Sequence, residues 1–197
     1  AYIDPDAAAS ALIIWNLLPL LGVDPDERMA TCCFAGLSSD TGSFCYQNTT
    51  EEVFQEASRM VQAGARPADI AHDLYQNRSY TSLQLEALMV ERMEFVCDGQ
   101  AVVSYVTVQD FEEIGATRAD AEPLIDTLRS IRGPRVACVL REQADCVRGS
   151  IRSKDSTNVA AIAHVLGGGG HEAAAGFTVH GTLDDAQNAL HEQLEMN

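Results

Sequence analysis

The segment "VLGGGGHEAAAGF", Val165–Phe177, places four consecutive glycines before a histidine and three alanines. An interior glycine destabilises an element by roughly 0.5–1 kcal/mol relative to alanine, so such a run is typical of a backbone that another group approaches closely. Because successive N–H groups can form a concave anion site, we predict that Gly168, Gly169 and Gly170 face a phosphate or a nucleotide edge. His171 would add a hydrogen bond or a positive charge there. A flexible turn is the alternative interpretation.

A basic segment, "CVRGSIRSK" (Cys146–Lys154), lies one short predicted helix before the glycines. Because side chains alternate between the two faces of a strand, Arg148, Ser150 and Arg152 are predicted to share one face. Lys154 continues the same row at the end of the strand. Arginine offers a planar fork that matches phosphate geometry, so this row predicts an oxyanion site close to the glycines. The alternative is a strand face exposed to solvent.

The charge of the chain limits the class of ligand. Its formal net charge is −16, which argues against a large duplex-binding surface, since such a surface needs a broad basic field. Seven of the 13 basic residues nevertheless lie within Arg129–Lys154, which contains only two acidic residues. An acidic protein with one concentrated basic patch suits a small phosphorylated ligand. Solubility alone could also explain the overall acidity.

Hydropathy and cysteine content indicate the compartment. No apolar run approaches the roughly 18 residues that a membrane-spanning helix needs, so we expect no membrane partner. The six cysteines are few for a disulfide framework in a chain of 197 residues, and no Cys-x-x-Cys pair occurs. We therefore predict reduced, mostly buried thiols in a cytoplasmic protein.

Helix signals dominate the first part of the chain, and strand signals appear only in the second. Caps followed by proline or acidic residues occur at Asp4, Asp24 and Thr50. We predict one helix from Asp4 toward Gly22 and another from Asp24 that stops near Gly36. Further helices are predicted at about 50–64, 67–76, 83–96, 108–114, 119–131, 158–166 and 183–194, and strands at 101–108, 135–141 and 146–153.

The predicted fold class is therefore α/β, with a mostly helical region before a mixed one. The polar stretch "NRSYTS" at 77–82 is the best candidate for a linker. It separates a helical region at 1–76 from an α/β domain at 83–197. Asp40 lies in "SSDTGSF", where the second helix gives way to a loop. Its carboxylate could cap a turn, or it could bind a hard divalent metal ion. A single aspartate does not decide between these two roles.

Three motifs, in the order "YIDPDAAAS", "GLSSDTGSFCYQNTT" and "SIRSK…GGGGHEAAAGF", resemble those of the DHH phosphoesterase superfamily, the RecJ-like enzymes. They are most similar to the short bacterial form that degrades very short RNAs and dephosphorylates 3′-phosphoadenosine 5′-phosphate. The resemblance covers essentially the whole chain. It implies that residues 1–76 are the C-terminal part of a two-metal catalytic domain and that 83–197 form the family's associated substrate-binding domain.

The resemblance also implies roles for particular residues. Asp40 would be catalytic as one ligand of a manganese pair. The substrate would be short single-stranded RNA or a nucleotide, held through its terminal phosphate or base by the associated domain. The residues that would bind it are Arg148, Arg152, Ser153, Gly168, Gly169, Gly170 and His171.

The chain departs from the family pattern in its metal ligands. It contains neither the His-x-Asp-x-Asp motif nor the Asp-His-His motif that supply most of them, and only Asp40 matches a family ligand. We therefore expect a C-terminal fragment with little or no hydrolase activity of its own. Such a fragment would expose apolar helix faces and associate, for example as a homodimer.

Two other functions stay open from the sequence. Within the same family, a cyclic dinucleotide phosphodiesterase would share these motifs. Outside it, a non-catalytic nucleic-acid-binding module is possible in principle, because the glycine–histidine domain resembles the C-terminal domain of alanyl-tRNA synthetases. The Asp-Thr-Gly motif at Asp40 and the helices before it favour the phosphoesterase, since that synthetase domain does not need them.

Overall fold

The computed structural model describes residues 3–196, so Tyr2, which begins the first family motif, lies outside the described residues. The chain divides between Asn77 and Arg78 into two compact units, which we call the helical unit and the sheet unit. None of the described helices is long and apolar enough to span a bilayer. The helical unit contains α1 (Ser10–Leu20), α2 (Glu27–Asp40), α3 (Glu51–Gln62) and α4 (Pro67–Tyr75).

Short polar side chains set the starts of α2 and α3, at the predicted Thr50 for α3 and at Asp26, two residues after the predicted cap, for α2. The Asp26 carboxylate accepts a hydrogen bond from the Met29 amide at 2.8 Å, and the Thr50 hydroxyl accepts one from the Val53 amide at 3.4 Å. These bonds satisfy amides that have no carbonyl partner in the first turn of a helix.

Two predicted helix boundaries in this unit are wrong. α1 begins at Ser10 instead of Asp4, because the Asp4 carboxylate accepts a hydrogen bond from the Asp6 amide at 3.2 Å and closes a turn. α2 does not stop at Gly36 but continues to Asp40. A Cβ atom at Gly36 would lie 2.7 Å from the Ala11 Cβ, so this glycine allows α1 to approach α2 closely.

The core of the helical unit is apolar with one buried polar pair. The Trp15 indole N–H donates to the Glu56 carboxylate at 3.0 Å, and Arg59 donates to the same carboxylate at 2.7 Å. The charge of this buried carboxylate is therefore paired. Large apolar side chains are also exposed on the unit, among them Ile14, Leu20, Leu21 and Phe54.

The sheet unit begins earlier than predicted. The Ser79 hydroxyl accepts a hydrogen bond from the Ser82 amide at 3.0 Å, so α5 starts at Tyr80, inside the predicted linker. The end of the predicted helix, Glu94–Val96, is a strand. The elements are α5 (Tyr80–Glu91), β1 (Glu94–Val96), β2 (Ala101–Val106), α6 (Val108–Ile114), a 3₁₀ turn (Arg118–Ala121), α7 (Leu124–Arg129), β3 (Val136–Glu142), β4 (Val147–Ser153), α8 (Val159–Val165), β5 (Gly169–His171), β6 (Ala174–Val179) and α9 (Leu183–Glu195).

The described strands form a six-stranded sheet in the order β1-β2-β3-β4-β6-β5. β2 and β3 are parallel, and the other neighbouring pairs are antiparallel. The three predicted strands are confirmed as β2, β3 and β4, with ends shifted by a residue or two. β5 and β6 were not predicted, because glycine and alanine are poor strand formers. β6 is extended through pairing with β4, and β5 through pairing with β6.

The two faces of the sheet are covered differently. One face packs against α8 and α9 through a core that includes Cys138, Ile151 and Phe177. The other packs against α5 and α7 through Val102 and Val139, and this second core contains no described residue of β4, β5 or β6. We call the surface of β4, β6 and β5 on the α5–α7 side the open face.

Candidate functional site on the open face

The strand register places small residues between cationic ones on the open face. Residues paired directly across antiparallel strands point to the same side of the sheet. One row therefore runs from Ser150 through Gly176 to Gly169, and the next runs from Arg152 through Ala174 to His171. Gly169, Ala174 and Gly176, which we call the floor, leave the backbone accessible, and Arg148, Arg152 and His171 surround it.

The arginines of β4 lie at the surface as predicted. The Arg152 guanidinium donates to the Ile151 and Ala175 carbonyl oxygens at 3.0 and 3.3 Å, which holds it across β6. Arg148 is exposed two rows from Arg152, on the other side of the Ser150 row. An arginine held by carbonyls still has N–H groups for an anion, because the guanidinium carries five.

Arg141 was not predicted as a site residue, yet it belongs to the same surface. It pairs with Arg148 across β3 and β4, and its guanidinium donates to the Ser150 hydroxyl at 2.8 Å. Burial, followed by the charge of nearby Arg118, lowers the pKa of Arg141. Two sequence signals could have found it, namely its place in the basic window and its position at the end of a predicted strand.

Lys154, the predicted end of the row, and Ser153, a binding residue implied by the family resemblance, lie elsewhere. Ser153 is 1% exposed, and its side chain alternates away from the open face. Its hydroxyl donates to the Asp155 carbonyl at 3.3 Å. The Lys154 ammonium donates to the Ile131 carbonyl just after α7. The structure therefore does not bring Ser153 or Lys154 to the floor.

The glycine run has more than one local cause, which corrects the prediction that its amides act together. Gly167 ends α8 with a φ of +79°, and the Gly168 amide donates to the Ala163 carbonyl at 2.8 Å. A Cβ atom at Gly168 would lie 2.0 Å from the Gly176 carbonyl oxygen, and one at Gly170 would lie 2.6 Å from the Ala174 carbonyl oxygen. Close strand packing therefore requires these two glycines, whereas a Cβ atom at Gly169 would meet nothing within 4 Å.

Asp40 ends α2 at the start of a strained loop in the helical unit. Its side chain is exposed, and the Asn48 amide donates to its backbone carbonyl at 3.1 Å. The next residues include Gly42, Ser43 and Phe44 with φ of +57°, +56° and +63°. Left-handed backbone is unfavourable for residues with a Cβ, and such strain clusters at functional sites. The loop is therefore a second candidate functional segment.

The buried side chain of Thr41 holds this loop. Its hydroxyl donates to the Leu37 carbonyl at 2.7 Å and accepts a hydrogen bond from the Phe44 amide at 3.2 Å. No group of three His, Cys, Asp or Glu side chains within residues 3–196 is placed to hold a metal ion. Asp40 supplies one carboxylate, so the described residues alone do not fit a two-metal centre.

Comparison with known proteins covers both the open face and the loop after Asp40. A model of the DHHA1 domain matches residues 98–196. The bifunctional oligoribonuclease and PAP phosphatase NrnA of Thermus thermophilus is 33% identical over 191 residues, which are 96% of this chain and 57% of that protein. The enzyme of the same name from Bacillus subtilis is 28% identical over 165 residues, which are 84% of this chain and 51% of that protein.

A solved structure shares the fold. An exopolyphosphatase-related protein from Bacteroides fragilis superposes with a TM-score of 0.90 at 24% identity, over 98% of this chain and 57% of that one. The chain spans a little over half the length of the relatives it matches.

Proposed function

Because this chain belongs to the DHH superfamily of phosphoesterases through its DHHA1 domain at residues 98–196, we propose that it is part of an enzyme that hydrolyses very short RNA oligonucleotides and 3′-phosphoadenosine 5′-phosphate. The two bacterial relatives described above, which are named for these two activities, support the proposal. We also propose a cytoplasmic location, as expected from the cysteine content.

The observation that carries the proposal is the floor with its surrounding cations. A sugar or a base can lie against Gly169 and Gly176, since no side chain stands there. Arg148 and Arg152 can then donate charge-assisted hydrogen bonds to the phosphate, and His171 can add another. A small basic surface on a chain of net charge −16 favours short ends over long duplexes.

The role of Asp40 is also a proposal. We assign it as one ligand of a manganese pair whose other ligands lie outside this chain. Such a pair, when bound, would supply an activated water and charge stabilisation for phosphoester hydrolysis. The Asn48 side chain holds the backbone carbonyl of Asp40 at the end of α2, and the exposed carboxylate is accessible to a metal ion.

Turnover by the intact protein tests the function. With manganese, we expect hydrolysis of di- to pentaribonucleotides and of 3′-phosphoadenosine 5′-phosphate, measured by chromatography of the products. Faster turnover of cyclic diadenylate would favour the cyclic dinucleotide phosphodiesterase. Binding of the same ligands without turnover of any of them would favour the non-catalytic module and contradict the proposal.

A further inference from the structure

A groove of about 400 Å³ lies where β2 and β3 end, next to the open face. This volume is within the range of small-ligand sites, roughly 300–1,000 Å³. One wall is apolar and contains the half-buried ring of Phe111. The apolar wall consists of Val108, Phe111 and Ala116, and the cations at the groove are Arg118 and Arg141.

The two arginines at the groove are basic side chains that lie close enough to repel each other. Among residues 3–196, no acidic side chain forms an ion pair with Arg118 or Arg141. Arg118 is close enough that its charge helps to lower the pKa of Arg141, after the larger effect of burial, while Glu122 acts in the opposite direction. Like charges held near each other repel, so an anion between them would be stabilised.

Two carboxylates, those of Glu112 and Glu142, also line the groove. Glu142 accepts a hydrogen bond from the Val108 amide at 3.0 Å, so its position is fixed by the backbone of α6. Glu112 is exposed to solvent, as Arg118 is, so the charges of both side chains are screened. Neither carboxylate pairs with the two arginines.

Arg141 connects the groove to the open face. Arg141 lines the groove, and its guanidinium donates to the Ser150 hydroxyl at 2.8 Å. Arg141 pairs across β3 and β4 with Arg148, which lies beside the floor. A ligand on the floor that continues past Ser150 therefore reaches the groove.

We propose that the groove is a subsite for the second nucleotide of a short oligonucleotide whose terminal nucleotide lies on the floor. The base packs on Phe111 and the connecting phosphate lies between Arg118 and Arg141. An aromatic ring provides a stacking surface that accepts any base. The inference rests on the proposed function, because it extends the nucleotide site proposed for the floor. It predicts a preference for oligonucleotides over single nucleotides through residues that the floor does not use.

Calorimetry without divalent metal, so that no hydrolysis occurs, tests the subsite with two probes. The probes are adenosine 5′-phosphate and 5′-phosphorylated diadenylate. We expect the dinucleotide to bind the unchanged chain about tenfold more tightly, and Arg118→Ala to remove this advantage by deleting a charge-assisted hydrogen bond. Adenosine 5′-phosphate should bind Arg118→Ala within about twofold of the unchanged chain. Phe111→Leu, which keeps an apolar side chain toward the core, should lower dinucleotide affinity about fivefold or more.

Arg132→Ala is the matched control, because it removes an exposed arginine before the start of β3, at the opposite end of that strand. It should leave both affinities unchanged. Equal dinucleotide affinity in Arg118→Ala and Arg132→Ala would overturn the subsite while leaving the floor intact. Loss of adenosine 5′-phosphate binding in Arg118→Ala would also overturn the subsite. Binding of tetraglutamate to the unchanged chain as tightly as the dinucleotide would overturn it too, because any polyanion would then suffice. Failure of the unchanged chain to bind adenosine 5′-phosphate would instead count against the proposed function.

Discussion

At the scale of single residues, Arg152 is the most direct test of the floor. Its guanidinium lies across β6, so Arg152→Ala should lower the affinity for adenosine 5′-phosphate about ten- to hundredfold through loss of charge-assisted hydrogen bonds. Lys154→Ala removes the same charge from a residue bound to the Ile131 carbonyl, and it should change the affinity much less. Calorimetric titration measures both. Equal affinities of Arg152→Ala and the unchanged chain would refute a shared site.

Neighbouring glycines should separate folding from binding. Gly168→Ala should lower the free energy of unfolding by about 1–3 kcal/mol, because the new Cβ atom would overlap the Gly176 carbonyl oxygen. Gly169→Val should keep the fold, since nothing stands near that position, but it should abolish binding by covering the floor. Chemical denaturation and nucleotide titration distinguish the two effects. A stable Gly168→Ala variant, or normal binding by Gly169→Val, would contradict this division.

Sequence reasoning located the open face through strand alternation, which holds for Arg148, Ser150 and Arg152. The same alternation argues against Ser153, which was included only because of the family motif. The sequence could not separate the roles of the glycines, because whether a Cβ fits at Gly168 depends on the approach of β6. Gly168 and Gly176 lie against each other only because β6 pairs beside them, and the sequence pattern did not predict β6.

At the scale of elements, one ion pair joins the end of α5 to the start of α6. Arg92 donates to the two carboxylate oxygens of Asp110 at 2.5 and 2.8 Å, and the Thr107 amide donates to the same carboxylate at 2.7 Å. The hydrogen bond from Arg92 is the largest cause that lowers the pKa of Asp110 from 3.8 to about 2. Arg92 also lies 5.1 Å from the ring centre of Tyr105.

This pair predicts a pH-dependent stability. Because the pKa of Asp110 is lower in the folded state, its carboxylate adds to the free energy of unfolding above about pH 4. This stabilisation is lost as the pH falls toward 2. Asp110→Asn should therefore lower the free energy of unfolding by about 2 kcal/mol at pH 7, and the difference from the unchanged chain should narrow below pH 4. Urea denaturation at several pH values measures it.

Asp145→Asn is the control for this prediction, since it makes the same substitution in an exposed loop between β3 and β4. It should leave the pH profile of stability unchanged. A difference between Asp110→Asn and the unchanged chain that stays constant from pH 7 to pH 2 would show that the carboxylate charge does not stabilise the fold.

Elements with local signals were predictable, and those made by tertiary contacts were not. The caps at Asp26 and Thr50 act within their own helices, so the sequence placed the start of α3 correctly and that of α2 within two residues. Gly36 was taken for a helix end, because the close approach of Ala11 is invisible to a local pattern.

At the scale of the whole molecule, the metal ligands determine the expected activity. The 197-residue chain alone should show little or no hydrolysis of short RNAs with manganese, because one carboxylate at Asp40 does not hold two hard cations at useful affinity. The assay is product chromatography beside the intact protein. Robust manganese-dependent turnover by this chain would show that it contains a complete metal centre.

Exposed apolar side chains predict association of the same 197-residue chain. Ile14, Leu20, Leu21 and Phe54 are between 54% and 80% exposed in the helical unit, and exposed apolar surface favours self-association. Light scattering should therefore give a mass above the monomer value of 21.3 kDa. Replacing both leucines by glutamate at the end of α1 should restore the monomer, whereas a monomeric unchanged chain would contradict the prediction.

The short strand β5 has a consequence for solubility. It forms one edge of the sheet, and an edge with unpaired N–H and C=O groups can recruit strands from other molecules and start fibrils. Here the edge strand has only three residues, and Gly170 has a φ of +149°, which few residues other than glycine adopt. An edge this short and irregular offers little to an incoming strand. The bare backbone that we propose as a nucleotide contact is thus available without making the sheet a template for aggregation.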